Sequence, residues 1–172
     1  MGLQENKLNH ISPIKGLKPL IGLKTVPMQI AFKKFEELTN QEVYDMMKLR
    51  FDVFVLEQQC LYPEFDDIDA KAVHVLLKEE DELAATARLY KKETQRAAIG
   101  RVVVDEVFRG RTIGKKLVKE SINYIAVNWR SAEIEIGAQT HLNEFYHSFG
   151  FEEISEEYDD AGIMHVDMLL KL

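Results

Sequence analysis

The segment that most constrains this chain is residues 100–116, GRVVVDEVFRGRTIGKK, where a β-branched run ends at an acidic pair and a basic, glycine-bearing loop opens a helix. Ile113, Leu117, Val118, Ile122 and Ile125 recur at helical spacing, so one face of that helix must be buried, while Lys119, Glu120 and Asn123 are free to face water. A strand feeding a helix N-terminus also builds an anion site, because the first N–H groups of a helix have no partner within it. Gly110 and Gly114 lack side chains that would keep a phosphate from those groups, and Arg109, Arg111, Lys115 and Lys116 surround them with positive charge.

Spacing excludes two nucleotide motifs. A Walker loop places four residues between its first glycine and its Gly-Lys pair, then a hydroxyl for magnesium; here Gly110 and Gly114 enclose three residues, and Lys116 stands at the hydroxyl position. No G-x-G-x-x-G follows any strand, so dinucleotide binding is unsupported. With 22 basic side chains against 29 acidic ones, the local cluster suits a small phosphorylated ligand and not a nucleic acid.

The remaining pattern alternates. Ile30, Phe32 and Phe35 predict a first strand, and Thr39 with Glu42 forms a capping box that starts a helix reaching about Phe54. Its expected inner face is Val43, Met46, Met47, Arg50 and Phe54, with Arg50 held by a carboxylate. Strands follow over 73–77 and 83–90 as a hairpin, then over 99–104 before the basic loop. After the central helix come a half-buried strand at 133–136, a short helix over 140–149, and two strands near 151–155 and 164–170. This is a mixed α/β order.

At 172 residues and 46% hydrophobic content there is material for one core. The first 27 residues stand apart: four lysines oppose Glu5 alone, and Pro13, Gly16, Pro19, Gly22 and Pro27 break any element. We expect an extension without its own core, followed by one domain over 28–172. Met28 reads as an internal start, with a functional basic arm as the alternative. No apolar run suits a signal peptide or a membrane span, and Cys60, the single cysteine, fits a reducing, cytoplasmic setting. His141, His147 and His165 lack metal-ligand spacing, so no metal is expected.

Arg109-x-x-Thr112-x-Gly114 resembles the Q/R-x-x-G-x-G/A signature of the GNAT superfamily of N-acetyltransferases, with Thr112 at the middle glycine. LRFDVFVLEQQCLYPEFDDIDAKAVH (49–74), GAQTHLNEFYHSFGF (137–151) and DDAGIMHVDM (159–168) resemble the ElaA-like branch, and the likeness covers about 28–172. It implies a mixed, mostly antiparallel sheet of about six to seven strands, flanked by helices and splayed where the pantetheine arm of acetyl-coenzyme A enters.

The resemblance implies acyl transfer from that thioester to a primary amine, such as a small cationic molecule or an exposed amino group of a peptide. The backbone of Val102, Val103 and Val104 would pair with pantetheine. Arg109, Gly110, Arg111, Thr112, Ile113, Gly114 and Lys115 would hold the pyrophosphate, and Gln139 and Asn143 would offer amides. Tyr146, four residues before Gly150, is the implied general acid for the departing thiolate. It also belongs to the apolar stripe Leu142, Phe145, Tyr146 and Phe149, where a tyrosine can be simple packing.

His74 and Glu57 are alternative bases. Glu57, Tyr62, Asp66 and Asp69 fall where the family builds its acceptor pocket. Glu64, Asp66, Asp67 and Asp69, and the acidic run over 152–160, can instead be solvated loops. A non-catalytic sensor of coenzyme A thioesters is the rival function. A homodimer is common in the superfamily, although no heptad demands one.

Overall fold

A computed structural model of the chain describes residues 27–93 and 95–172. All but Pro27 of the expected extension lies outside them. Eight strands form one sheet: β1 (Met28–Lys34), β2 (Val73–Glu79), β3 (Glu82–Lys91), β4 (Arg96–Val104), β5 (Glu133–Gln139), β6 (Glu152–Glu153), β7 (Tyr158–Asp160) and β8 (Ile163–Lys171). Their order is β1-β2-β3-β4-β5-β8-β6, with β7 also on β8, and every pairing is antiparallel except β4 with β5. The strand absent from the sequence reading is β7. It closes a hairpin with β8 through Ala161 and Gly162, both at positive φ, as a tight two-residue turn requires.

Helix α1 (Asn40–Arg50) opens with the expected capping box. Thr39 Oγ1 accepts from Glu42 N–H at 3.2 Å, and Thr39 N–H donates to the Glu42 carboxylate at 3.0 Å. Its buried face is Glu42, Met46, Leu49 and Arg50, turned by one residue from the expected stripe. The cause is Glu42: Lys33 and Lys78 pair with its carboxylate, so it turns inward and Val43 is left half-buried. The chain continues through a wider π-type turn over Phe51–Glu57, which carries Val53 inward.

Helix α2 (Ile113–Tyr124) buries Ile113, Leu117 and Val118 on the sheet as predicted, and α3 (Asn143–His147) adds Tyr146 to the same core. Each fully buried aliphatic side chain there contributes roughly 1.5–3 kcal/mol. Strand alternation sends Val103 to the other face, against Leu49 and Val53 below α1.

The decisive irregularity is between β4 and β5. Their parallel pairing covers only Arg96–Ala98 against Glu133–Glu135. Beyond it the two strands part, leaving an open wedge between the second half of β4 and the end of β5.

Candidate active site

A cavity of about 750 Å³ fills this wedge, within the range of small-ligand sites. Val102, Val103 and Val104 line it from β4, Gly137 and Gln139 from β5, and Tyr146 from α3. At one end lies the basic loop, where Gly110, Thr112, Ile113, Gly114 and Lys115 reach the wall. Gly110 has φ +75°, and Thr112 has φ 59° and ψ 8°. A β-branched residue in the left-handed region is strained by about 1–3 kcal/mol. Thr112 thus keeps the backbone path that a glycine would follow, and its side chain makes no capping bond.

Arg109 sits on the cavity wall in a bidentate ion pair with Glu57, at 2.8 and 2.7 Å, while its Nε donates to Val104 O at 3.2 Å. The Arg109 guanidinium holds the Glu57 carboxyl below its usual range despite the opposing effect of partial burial, which weakens Glu57 as a base. Arg111 departs from expectation. It turns off the wall to pair with Glu79 on β2 and lies over the Phe108 ring at 5.6 Å, because a two-oxygen partner and an aromatic face are within its reach. Asn143 also points elsewhere, donating to Glu153 at 3.2 Å. Gln139 stays on the wall, where its Nε2 donates to Gln58 Oε1 at 3.0 Å.

Tyr146 is 6% exposed, packed edge-on against Phe145 and Phe151, and on the cavity wall. No hydrogen bond engages its hydroxyl among the described residues. Burial pushes its phenol up to about 12, so it carries its proton at neutral pH.

The expected acceptor carboxylates are corrected by their partners. Asp69 binds Arg50 at 2.7 Å and Arg88 at 3.1 Å, Asp66 binds Arg88 at 2.7 and 2.9 Å, and neither lines the cavity. Glu64, no solvated loop residue, is buried between Arg50 Nε at 2.6 Å and Arg101 Nε at 3.0 Å. Three guanidiniums and three carboxylates therefore neutralise one another between α1, the following loop, β3 and β4. His74 is 0% exposed and bonded through Nε2 to Asp69 O at 2.9 Å. Burial lowers its pKa, and it is absent from the cavity wall, so it supports this network and cannot reach a substrate there. Tyr62 does line the cavity, donating to Glu64 at 2.8 Å beneath the Arg101 guanidinium.

The family model for the acetyltransferase (GNAT) domain matches residues 35–172. The chain belongs to the GNAT acetyltransferase family. It is 38% identical to the protein ElaA of Escherichia coli over 136 residues, 77% of this chain and 89% of that one. The crystal structure of E. coli ElaA superposes with a TM-score of 0.78, covering 83% of this chain and 99% of that one at 34% identity. An acyl-CoA N-acyltransferase from Pseudomonas aeruginosa does so with a TM-score of 0.79 at 30% identity, covering 83% and 99%. A GNAT family acetyltransferase from Elizabethkingia anophelis with acetyl-CoA bound shares the fold, with a TM-score of 0.60 at 20% identity over 84% and 98% of the two chains.

This GNAT chain carries site residues that sequence reasoning missed. Arg88, Tyr90, Arg101, Tyr158, Asp160 and His165 all reach the cavity wall. Arg101 does so from a register shift between β3 and β4, at φ 51°. For the β7–β8 group a signal existed: Tyr158 and Asp160 are two apart, before a turn ending in Gly162, the spacing of one face of a hairpin strand. Among the described residues no group of three or more potential ligands is placed to hold a metal, and no helix is long and apolar enough to cross a membrane.

Proposed function

We propose that this chain is a cytoplasmic N-acetyltransferase that moves the acetyl group of acetyl-coenzyme A to a primary amine by direct attack. The observation that carries the reading is one continuous cavity joining a bare helix N-terminus to a buried, unpartnered phenol. The chain's residues fit the co-substrate. The N–H groups of Ile113, Gly114 and Lys115 are those an α-helix leaves unpaired, and all three residues line the cavity along with Arg109. The parted edges of β4 and β5 offer backbone groups to an extended amide chain. The Elizabethkingia protein, of the same fold, holds acetyl-CoA.

In this reading Arg109 exchanges Glu57 for a phosphate, Gln139 steers the pantetheine chain, and Tyr146 gives its proton to the sulfur as it departs. General-acid assistance of this kind is worth about 10²–10⁴ in rate. Cys60 is no acyl carrier: burial, then the nearby charges of Asp160 and Glu64, push its thiol up and away from the reactive thiolate.

Calorimetric titration of acetyl-coenzyme A, followed by thiol release with a panel of amines, tests the proposal. Arg109→Ala should weaken binding by about 1.5–3 kcal/mol. Tyr146→Phe should keep the affinity and lose turnover by about 10²-fold or more. Tight binding with no thiol release from any amine would favour the sensor.

A further inference from the structure

The wall of the cavity carries two carboxylates, and they differ in what holds them. Glu57 is bound by Arg109. Asp160 has no cation paired with it among the described residues, and its charge is felt by Cys60 and Tyr158 beside it. In β7, Tyr158 and Asp160 are two residues apart and so share a face, and Tyr158 stands opposite His165 in the β7–β8 register. All three reach the cavity.

The His165 ring is fixed on both sides. Its Nδ1 lies 2.9 Å from Ile163 O, an acceptor only, so Nδ1 carries the hydrogen. Its face stacks on Tyr158, with centroids 6.1 Å apart and planes at 24°. Tyr158 is itself held by donating to Asp167 Oδ1 at 2.8 Å. Gly137 makes room for that bond, since a Cβ there would come within 3.3 Å of the Tyr158 hydroxyl. The result is a ring anchored through Nδ1 whose Nε2 has no partner among the described residues, on the wall of the cavity that Tyr146 also lines.

We propose that His165 is the general base for the acceptor amine and that Asp160 gathers the acceptor's ammonium beside it. This rests on the N-acetyltransferase reading above. His165 Nε2 removes one proton from the ammonium and becomes an imidazolium. The freed nitrogen lone pair forms the C–N bond at the acetyl carbonyl while the C–S bond breaks. Tyr146 protonates the departing sulfur and regains a proton from the amide nitrogen, and the imidazolium later releases its proton to water. The titratable and charged groups around this end of the cavity are Tyr158, Asp160, Cys60, Tyr62, Tyr90, Arg88 and Arg101 on its wall, with Asp167 bonded to Tyr158 and Glu64 bonded to Tyr62. Of these carboxylates Asp160 is the one that is both on the wall and without a partner among the described residues, which suits a cationic amine over a neutral or anionic acceptor.

The experiment uses the full chain with acetyl-coenzyme A and a panel of alkylamines, diamines and a lysine-containing peptide. In His165→Ala, kcat should fall about 10²-fold or more with the acetyl-coenzyme A affinity unchanged by calorimetry. The acidic limb of the kcat/KM profile should vanish, and added imidazole should restore part of the rate. His165→Gln, which keeps bulk and a polar tip, should fail in the same way without imidazole. Asp160→Asn should raise KM for cationic amines about tenfold and leave kcat within a few-fold. Full activity in His165→Ala, or an acidic limb that survives the substitution, overturns the proposal and leaves the acetyltransferase reading intact. A wild type that binds acetyl-coenzyme A and acetylates no amine overturns both.

Discussion

The acidic segment over 64–69 and the acidic strand β7 (Tyr158–Asp160) look alike as sequence, and the fold treats them in opposite ways. In the first, Glu64, Asp66 and Asp69 meet Arg50, Arg88 and Arg101, which arrive from α1, β3 and β4. In the second, Tyr158 is bonded within its own hairpin and Asp160 is left facing the cavity. A carboxylate becomes structural when the fold delivers a guanidinium to it and stays available to a ligand when it does not. Composition says nothing about which will happen, because the arginines come from 14 to 37 residues away in sequence.

The largest effect should come from breaking the network. Asp69→Ala leaves the Arg50 and Arg88 guanidiniums, 1% and 5% exposed, short of a counter-charge. Removing one partner of a buried ion pair costs about 3–5 kcal/mol, a large share of a domain's total stability. Urea unfolding should show that loss as a lower midpoint at unchanged slope. A loss below about 1 kcal/mol would mean that the network rearranges freely and that 64–69 is closer to a solvated loop.

Acid should act on the same network. Burial opposes the charges of Asp66 and Asp69, but the hydrogen bonds and charges of Arg88 and Arg50 outweigh it and hold both carboxyls below their usual range. A depressed folded pKa contributes stability that is fully present above the unfolded value near 4 and is lost as pH falls through the lower folded values. Stability measured from pH 6 downward should therefore fall chiefly below about pH 4. In Asp69→Ala that fall should be shallower.

A smaller effect is expected at the junction of the two ends of the cavity. Glu57 ties Arg109 in a bidentate pair, so under the proposed function a phosphate would compete with that carboxylate. Glu57→Gln removes the competitor's charge and should tighten acetyl-coenzyme A binding by about 0.5–1 kcal/mol, the worth of an exposed ion pair. Unchanged or weaker affinity by calorimetry would show that Glu57 orients Arg109 and does not compete for it.

What could be read in advance follows the same division. The strand, basic loop and helix over 100–124 were legible because hydrophobic period, glycine and charge are local signals that point to one answer. Tyr146, read as part of the apolar stripe of the short helix and given a role only by the family resemblance, does pack into the core and reach the cavity wall. Arg111 and Asn143 misled because their side chains found partners on β2 and β6, which no local pattern encodes. His74 sits in a strand as read, yet its neighbours are a buried arginine network assembled from distant segments. Nothing local marks His165 beyond the absence of metal-ligand spacing, because its surroundings depend on Tyr158 and Ile163 O, which only the hairpin brings to it. Long-range pairing, set by topology, separates the structural histidine from the available one.

The smallest expected effect completes the contrast. Asp160→Asn touches a carboxylate that is exposed and unpaired among the described residues, and substitutions at such positions change stability by no more than about 0.5 kcal/mol. The thermal midpoint should move by no more than about 2 °C, against roughly 10 °C for Asp69→Ala in a chain of this size. A large loss at Asp160 would mean that it holds the hairpin in place, and the distinction between a carboxylate spent on the fold and one kept for a ligand would no longer separate the two stretches. A stable Asp160→Asn protein with weakened use of cationic amines would place the cost of that side chain in recognition alone.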